Sequence, residues 1–179
     1  MRKVVQVPFA IFTLLLLNIH LRAQNNSATD PWAQFQFLVG DWSGVGSGTP
    51  AEAVSGTTSF SFDLEKKILV RRNRAEFAPK QPEGPNVVHE DLMIIYPQTG
   101  ESGFRAVYFD NEGHVIHYNI SFPMKQPSIV LESEGAGSVP RFRLTYESGS
   151  DGIMQTEFSI APPGREFKAY MTGKLERKK

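Results

Sequence analysis

Residues 35–42 read Phe35-Gln36-Phe37-Leu38-Val39-Gly40-Asp41-Trp42, a short apolar segment that leads into a Gly-x-Trp motif. Short segments in which polar and apolar residues alternate follow this motif, and turn residues separate them. Such alternation is typical of antiparallel strands with one face in a core and one in solvent. We therefore expect Trp42 to pack at one end of a small closed barrel.

The N-terminus has the pattern of a secretory signal. Met1-Arg2-Lys3 is basic, residues 4–17 are mostly apolar, and Ala23 is a small residue at a suitable cleavage point. The alternative is an uncleaved anchor, but the apolar run is short for a membrane span of about 20 residues. The predicted organisation is a signal peptide over 1–23, a flexible lead-in over 24–30 and a barrel domain over 31–177. We expect the mature protein to be exported, periplasmic or secreted, with no membrane span.

The composition fits one domain without disulfides. Removal of residues 1–23 leaves 156 of the 179 residues, and a domain of this size buries about 68–70% of its unfolded surface. The chain has no cysteine, so its stability must come from the core and from sheet closure. The remaining 16 basic and 19 acidic residues argue against a nucleic-acid partner or an anionic membrane surface.

A short helix is predicted over 31–39. Asp30 is a suitable N-cap, Pro31 suits the first helical position, and Gly40 suits the end. Its apolar face consists of residues spaced three apart: Trp32, Phe35 and Leu38. We expect this helix to plug one end of the barrel.

The rest of the chain predicts β-structure. Ten strands are expected, one at Trp42 and nine over 53–62, 68–77, 87–96, 103–109, 115–122, 128–134, 141–147, 153–161 and 167–175. Asp110-Asn111-Glu112-Gly113 is a strong hairpin signal between two of them. No connection is long enough for a parallel crossover, and closure removes the exposed edges of a ten-stranded sheet. The prediction is an all-β fold, a single antiparallel up-and-down barrel with space inside.

The alternation also predicts which residues face inward. The inward set is apolar and aromatic on most strands: Val54, Thr58, Phe60, Phe62, Phe104, Ala106, Tyr108, Phe142, Leu144, Tyr146, Met154, Thr156, Phe158, Ile160, Phe167, Ala169, Met171 and Leu175. The strand over 68–77 is the exception, because it places Arg71 and Asn73 inside. A buried arginine is costly unless it meets an anion, so Arg71 is a candidate carboxylate-binding group. The alternative is a register shift of one residue, which leaves Arg71 in solvent.

The Gly40-Asp41-Trp42 motif, the preceding helical turn and the ten-strand meander resemble the calycin superfamily, which includes lipocalins, fatty-acid-binding proteins and nitrobindin-like haem barrels. Segments 37–42 and 108–116 look most like exported bacterial barrels within that group. The resemblance implies an apolar cavity with Trp42 near its closed end.

Two features of the sequence depart from this resemblance. Nitrobindin-like barrels bind haem through a histidine on a late strand, and residues 167–175 contain none. Fatty-acid-binding proteins often hold a carboxylate with Arg-x-Tyr on the final strand, where this chain has Lys168-Ala169-Tyr170.

The histidines give no clear metal site. His114 and His117 are three apart on a strand pattern, so they face opposite sides and cannot hold one ion together. His117 faces either the lumen or the solvent, since Ile116 and Tyr118 compete for the inner face. His89-Glu90-Asp91 begins a strand and is interpreted as a charged rim.

These observations predict an exported, lipocalin-like barrel that binds a small hydrophobic or amphipathic molecule of the lipid or fatty-acid class in its lumen. No catalytic residue, metal or resident cofactor is expected. The expected ligand contacts are Trp42, Phe60, Arg71, Asn73, Tyr108, His117, Tyr146, Phe158 and Met171.

Two alternative functions stay open. One is a haem- or metal-binding barrel that uses His117 or His89. The other, less favoured, is an enzyme for a lipophilic substrate, which requires an inward ionisable group with a perturbed pKa.

Overall fold

The computed structural model describes residues 30–45, 53–79, 81, 83–100, 103–124, 127–135, 137–149 and 151–179. The predicted signal peptide and the predicted lead-in, apart from Asp30, lie outside the described residues, as does the side chain of Val54. The fold below belongs to the unit Pro31–Lys179.

The described residues form ten antiparallel strands that close into one barrel. The strands are β1 (Gly40–Val45), β2 (Ala53–Asp63), β3 (Ile68–Phe77), β4 (Val87–Pro97), β5 (Phe104–Asp110), β6 (Val115–Ser121), β7 (Ser128–Ser133), β8 (Arg141–Ser148), β9 (Met154–Ala161) and β10 (Lys168–Arg177). Each strand pairs with its neighbours along the chain, and β1 pairs with β10 to close the ring. The predicted closed up-and-down barrel of ten strands is confirmed.

The structure shows only part of the helix predicted over 31–39. Among the described residues only Ala33–Phe35 is helical, and it is a 3-10 helix of three residues. The amide of Phe35 donates to the carbonyl of Trp32 at 2.9 Å, and the amide of Leu38 donates to that of Phe35 at 3.0 Å. Three residues per turn suit the sequence, because they bring the apolar residues spaced three apart onto one face. All three are buried, with at most 4% exposure.

An aromatic cluster surrounds this 3-10 helix, and we call this end of the barrel the floor. Trp32 lies 5.3 Å from Phe62 at the end of β2 and 4.8 Å from Phe104 at the start of β5, between ring centroids. Phe35 lies 4.8 Å from Phe104 and 5.2 Å from Phe122, which follows β6. Since these rings come from strands around the barrel, they fill its floor.

Trp42 and Arg177 join the first strand to the last. The indole Nε1 of Trp42 donates to the carbonyl of Leu38 at 2.7 Å, and the guanidinium of Arg177 lies 4.3 Å from the indole centroid. Arg177 also donates to the carbonyl of Phe37 at 3.3 Å. Gly40 has a φ of +127°, and a Cβ there would collide with the guanidinium of Arg177. The Gly-x-Trp motif therefore requires glycine at position 40 for two reasons: the backbone conformation is unfavourable for other residues, and a side chain would collide with Arg177.

Burial of the inward residues is greatest in the lower and middle barrel and decreases toward the end opposite the floor, which we call the mouth. At the floor itself, Phe62 and Phe104 are partly buried. The side chains nearer the floor are almost fully buried: Phe60, Leu69, Met93, Ile95, Ala106, Tyr118, Ile129, Leu131, Leu144, Tyr146 and Met154. Those lining the mouth are half-buried: Asn73, His89, Tyr108, Ile116, Phe142, Phe158 and Met171. The lower lumen is therefore packed with the protein's own side chains, and solvent reaches the upper part.

The predicted alternation fails at one place in β10. The pairing with β9 shifts between Ala169 and Met171, so Tyr170 is an extra residue in a β-bulge. Met171 follows the prediction and faces inward, whereas Ala169 stands in an outward row. Phe167, also predicted inward, packs outside the barrel, where the guanidinium of Arg143 lies 3.8 Å from its ring centroid.

Candidate functional site

Arg71 lies inside the barrel. Its cross-strand neighbours are Phe60 on β2 and Met93 on β4, which are 1% and 0% exposed, and Arg71 itself is 8% exposed. The register shift in the β2–β3 pair lies between Ala53 and Ser55, far along the strand. The alternation at Arg71 is therefore undisturbed, and the alternative in which it faces solvent is wrong.

Asp91 on β4 already pairs with this buried arginine. Two oxygen–nitrogen contacts of 3.4 Å join the Asp91 carboxylate to the Arg71 guanidinium. Arg71 Nε donates to Thr58 Oγ1 at 3.4 Å, and Asn73 Nδ2 donates to Asp91 Oδ2 at 2.9 Å. Burial lowers the pKa of Arg71, but the negative charge of Asp91 raises it, and the net pKa lies above its ordinary value. Arg71 stays charged, and any ligand carboxylate would compete with Asp91 for it.

A series of polar contacts continues from Asp91 toward the mouth. His89 Nε2 lies 3.4 Å from Asp91 Oδ2 and 3.1 Å from the Tyr108 hydroxyl. Tyr108 in turn donates to Asp110 Oδ2 at 3.3 Å. The hydrogen bond with Asp91 raises the pKa of His89, against the opposing effect of burial. We call Arg71, Asp91, His89, Tyr108 and Asp110 the polar strip, and it runs along β3, β4 and β5.

The other side of the mouth is apolar. Phe142 on β8 stacks on Phe158 on β9 at 6.0 Å between ring centroids, with 11° between the planes. Met171 on β10 is in register with Phe158, and Ile116 on β6 also faces inward. We call these four residues the apolar wall. In the ring of ten strands, β8 to β10 lie across the barrel from β3 to β5, so Phe142, Phe158 and Met171 face the polar strip, whereas Ile116 lies beside Tyr108 on the neighbouring strand.

Tyr146 lies below the mouth, beside Arg71. Its ring is 5.4 Å from that of Phe60, edge to face, and the Arg71 guanidinium lies 5.8 Å from its centroid. Burial raises the pKa of Tyr146 to about 12. The hydroxyl is buried and has no hydrogen-bond partner among the described residues. Because buried polar groups are nearly always paired, this hydroxyl is an exception in the protein interior.

Two cavities of the described residues open on the outside of the barrel. One, of about 550 Å³, lies on the outer face of β1 to β5 and includes Arg72, Arg74 and Glu90 in its lining. The other, of about 280 Å³, includes Ile116 and Phe142 of the apolar wall. It lies near the mouth beyond the last β6–β7 pair, between residues of β6 and residues 139–142 at the start of β8. This second cavity therefore borders two residues of the apolar wall.

His117 lines that second cavity from outside. The prediction that His117 contacts a ligand in the lumen is wrong, because Ile116 and Tyr118 take the inner face of β6 and leave His117 exposed. Of the two histidines considered as haem or metal ligands in the lumen, only His89 therefore faces inward.

The other predicted contact residues separate into three groups. Trp42 belongs to the floor, away from the mouth. Phe60, Arg71 and Tyr146 meet in the buried lower lumen. Asn73, Tyr108, Phe158 and Met171 are half-buried at the mouth.

The sequence prediction missed the inward position of His89 and Asp91. Their interpretation as a charged rim is only partly right, because Glu90 faces out, whereas His89 and Asp91 face inward with Met93 on β4. The alternation in the sequence of β4 was a weak guide to its inner face, since Leu92 and other outward residues of this strand are also apolar. An ionisable group with a perturbed pKa therefore does face the lumen, which is the structural requirement of the enzyme alternative.

A scan against protein-family models and a search of curated proteins each find no match to this chain. In the part of the chain that the structure describes, no helix has the length and hydropathy to cross a membrane.

Proposed function

We propose that the protein binds a small amphipathic molecule at the mouth of the barrel, with the polar group on the polar strip and the apolar part on the apolar wall. The observation that carries this proposal is the division of a half-buried mouth into a polar side on β3 to β5 and an apolar side on β6 and β8 to β10. Binding sites for small molecules are typically concave, mostly apolar and supplied with a few convergent polar groups.

The charges of the site favour a neutral or positive polar group. The charge of Arg71 is matched by Asp91, with which it forms two contacts. Nearer the rim, Asp110 and Glu112 add negative charge, and Asp110 lies within hydrogen-bond distance of Tyr108. Of the predicted lipid or fatty-acid class, a free carboxylate is therefore the least favoured, since it would meet like charges.

The packing limits the size of the ligand. The rings of Phe35 and Phe60 and the side chains around them leave the floor filled, so the ligand occupies only the upper lumen. Its apolar part lies against Phe158 and reaches toward the cavity of about 280 Å³ beside Ile116. In this proposal the protein is an exported, calycin-like carrier or sensor.

Competition binding tests this function. Decanamide, decylamine and decanoate, which share one chain length, would displace a fluorescent apolar probe from the purified protein in the presence of a chelator. We expect the amide or the amine to bind at least about tenfold more tightly than the carboxylate, a difference of about 1.4 kcal/mol. Tightest binding by decanoate contradicts the proposed charge preference.

Matched variants locate the site. Phe158→Ala removes part of the apolar wall, and Tyr108→Phe removes one hydroxyl of the polar strip without changing its shape. We expect each to weaken binding of the preferred probe by about tenfold. Leu64→Ala in the β2–β3 turn and Met124→Ala after β6 should leave it unchanged, because both side chains are exposed and lie away from the mouth. Equal affinities for all four variants contradict a site at the mouth.

A further inference from the structure

We propose that His89, Asp110 and Glu112 form a binding site for a divalent first-row transition-metal ion at the rim of the mouth. One nitrogen or oxygen atom from each residue lies within 4.8 Å of those of the other two. Zinc bonds of about 2.0–2.2 Å place tetrahedral ligand atoms about 3.4 Å apart, so small side-chain rotations bring the three atoms onto one ion.

The orientation of His89 matches that of a metal ligand. Its Nδ1 faces Glu112 Oε1 at 3.3 Å, on the side of the proposed ion. Its Nε2 faces the Asp91 carboxylate at 3.4 Å and the Tyr108 hydroxyl at 3.1 Å. Metal-binding histidines typically use one ring nitrogen for the ion and donate the other N–H to a carboxylate, which fixes the ring. Asp91 therefore orients His89 as well as pairing with Arg71.

Asp110 is held in place by the turn that follows it. Its Oδ1 accepts the amides of Glu112 at 3.0 Å and His114 at 2.9 Å. Its Oδ2 accepts the Tyr108 hydroxyl at 3.3 Å and lies 2.8 Å from His114 Nδ1, so an ion bound to Oδ2 would replace one of these two contacts. The Asp110 side chain is only 3% exposed, so its position is set by the fold before any ion binds.

Asn111 fixes this turn to β4. Its amide donates to the carbonyl of Glu90 at 3.0 Å, and its Nδ2 donates to that of Val88 at 3.0 Å. Its Oδ1 accepts the amide of Glu90 at 3.1 Å. These three bonds bracket His89 and hold Glu112 against it, so two distant parts of the sequence supply one site.

The ligand set points to a class of ion. One imidazole and two carboxylates suit Zn²⁺ and neighbouring divalent ions such as Co²⁺ and Mn²⁺, whereas Mg²⁺ and Ca²⁺ prefer all-oxygen sites. Two carboxylates also balance the charge of a divalent ion. The site lies at one edge of the mouth. His89 and Asp110 also belong to the polar strip, whereas Glu112 does not.

Calorimetric titration of the untagged, chelator-treated protein with Zn²⁺ tests this inference, with Mg²⁺ as the comparison ion. We expect one Zn²⁺ per chain, and at least tenfold weaker binding in His89→Gln and in Glu112→Gln. His117→Ala removes an exposed histidine and Glu65→Gln an exposed turn carboxylate, and both should bind as the unmodified protein does. Cobalt absorption in the visible range should show the same dependence on His89.

The side chain of Glu112 is 55% exposed, so Glu112→Gln should keep the fold even if His89→Gln does not, and circular dichroism checks both. Failure of the unmodified protein to bind Zn²⁺ saturably overturns the proposal. So does binding that Glu112→Gln leaves unchanged, or that His117→Ala and Glu65→Gln weaken equally. Because the amphipathic probes are tested with a chelator present, either proposal can fail without the other.

Discussion

Arg71 on β3 and Asp91 on β4 form an ion pair inside the barrel, with side chains that are 10% and 2% exposed. Both charges lose most of their hydration there, and their mutual attraction and the contacts from Thr58 and Asn73 offset that loss. The pair sets the charge of the lower lumen and, through His89, positions the polar strip.

Removing one partner of this pair should destabilise the fold strongly. We expect Asp91→Asn to lower the free energy of unfolding by about 3–5 kcal/mol, because it leaves the Arg71 charge buried and unpaired. Urea denaturation measures the change. Arg74→Ala is the control, since it breaks only ion pairs at the surface, with Glu76 and Glu90, and it should leave the midpoint unchanged. If Asp91→Asn and the control variant have the same free energy of unfolding, the Arg71 charge must reach solvent.

The contact between Gly40 and Arg177 predicts a non-additive pair of substitutions. Gly40→Ala should lower the free energy of unfolding by about 1–3 kcal/mol, because its positive φ is unfavourable for alanine and the new Cβ meets the guanidinium. Arg177→Ala removes the stacking on Trp42, a loss of about 0.5–1 kcal/mol. In the double variant the collision is absent, so the total loss should be smaller than the sum of the two. Additivity within about 0.3–0.5 kcal/mol contradicts the contact.

The floor should depend on its central ring. Phe35 is 0% exposed and contacts aromatic rings from several strands, so Phe35→Ala should lower the free energy of unfolding by about 3–5 kcal/mol. Phe109→Ala is a matched control, because this phenylalanine is 38% exposed on the outer face. Chemical denaturation of both variants checks the difference, and similar losses would mean that the 3-10 segment does not pack as described.

The buried tyrosines predict loss of stability at alkaline pH. Burial raises the pKa of Tyr146 to about 12 and also raises those of Tyr108 and Tyr118, while an unfolded tyrosine ionises near 10. Below pH 10 these tyrosines are neutral in both the folded and the unfolded state, so their burial contributes fully to the free energy of unfolding. Above pH 10 the unfolded state loses its protons first, so stability falls as the pH rises toward 12.

Urea midpoints measured from pH 8 to pH 11.5 test this dependence. Tyr146→Phe should reduce the alkaline fall, and at neutral pH it should not destabilise, because the lost hydroxyl has no partner among the described residues. Tyr170→Phe removes a hydroxyl from a side chain that is 48% exposed and should keep the full slope. An unchanged slope in Tyr146→Phe would contradict its burial.

The barrel was predictable because period-2 alternation and turn residues mark almost every strand. Arg71 was predictable for the same reason, since Arg72 and Arg74 take the outward positions beside it. Asp91 was not, because β4 is apolar on both faces and its alternation does not identify an inner side.

Two other differences arise from local geometry that composition does not specify. Spacing by three in Trp32, Phe35 and Leu38 fits a 3-10 helix as well as an α-helix, and only packing against the floor decides between them. The bulge at Tyr170 reverses which residues of the preceding segment face inward. Phe167 therefore packs outside the barrel, although simple alternation counted back from Met171 places it inside.

Methyl NMR during titration with decanamide, with a chelator present, locates the bound ligand in the barrel. We expect saturable shifts at Ile116 and Met171 of the apolar wall and none at Ile129 near the floor or at Ile94 on the outer face. Shifts at Ile94 without shifts at Ile116 and Met171, or no saturable shift in either set, would contradict a ligand site at the mouth of the barrel.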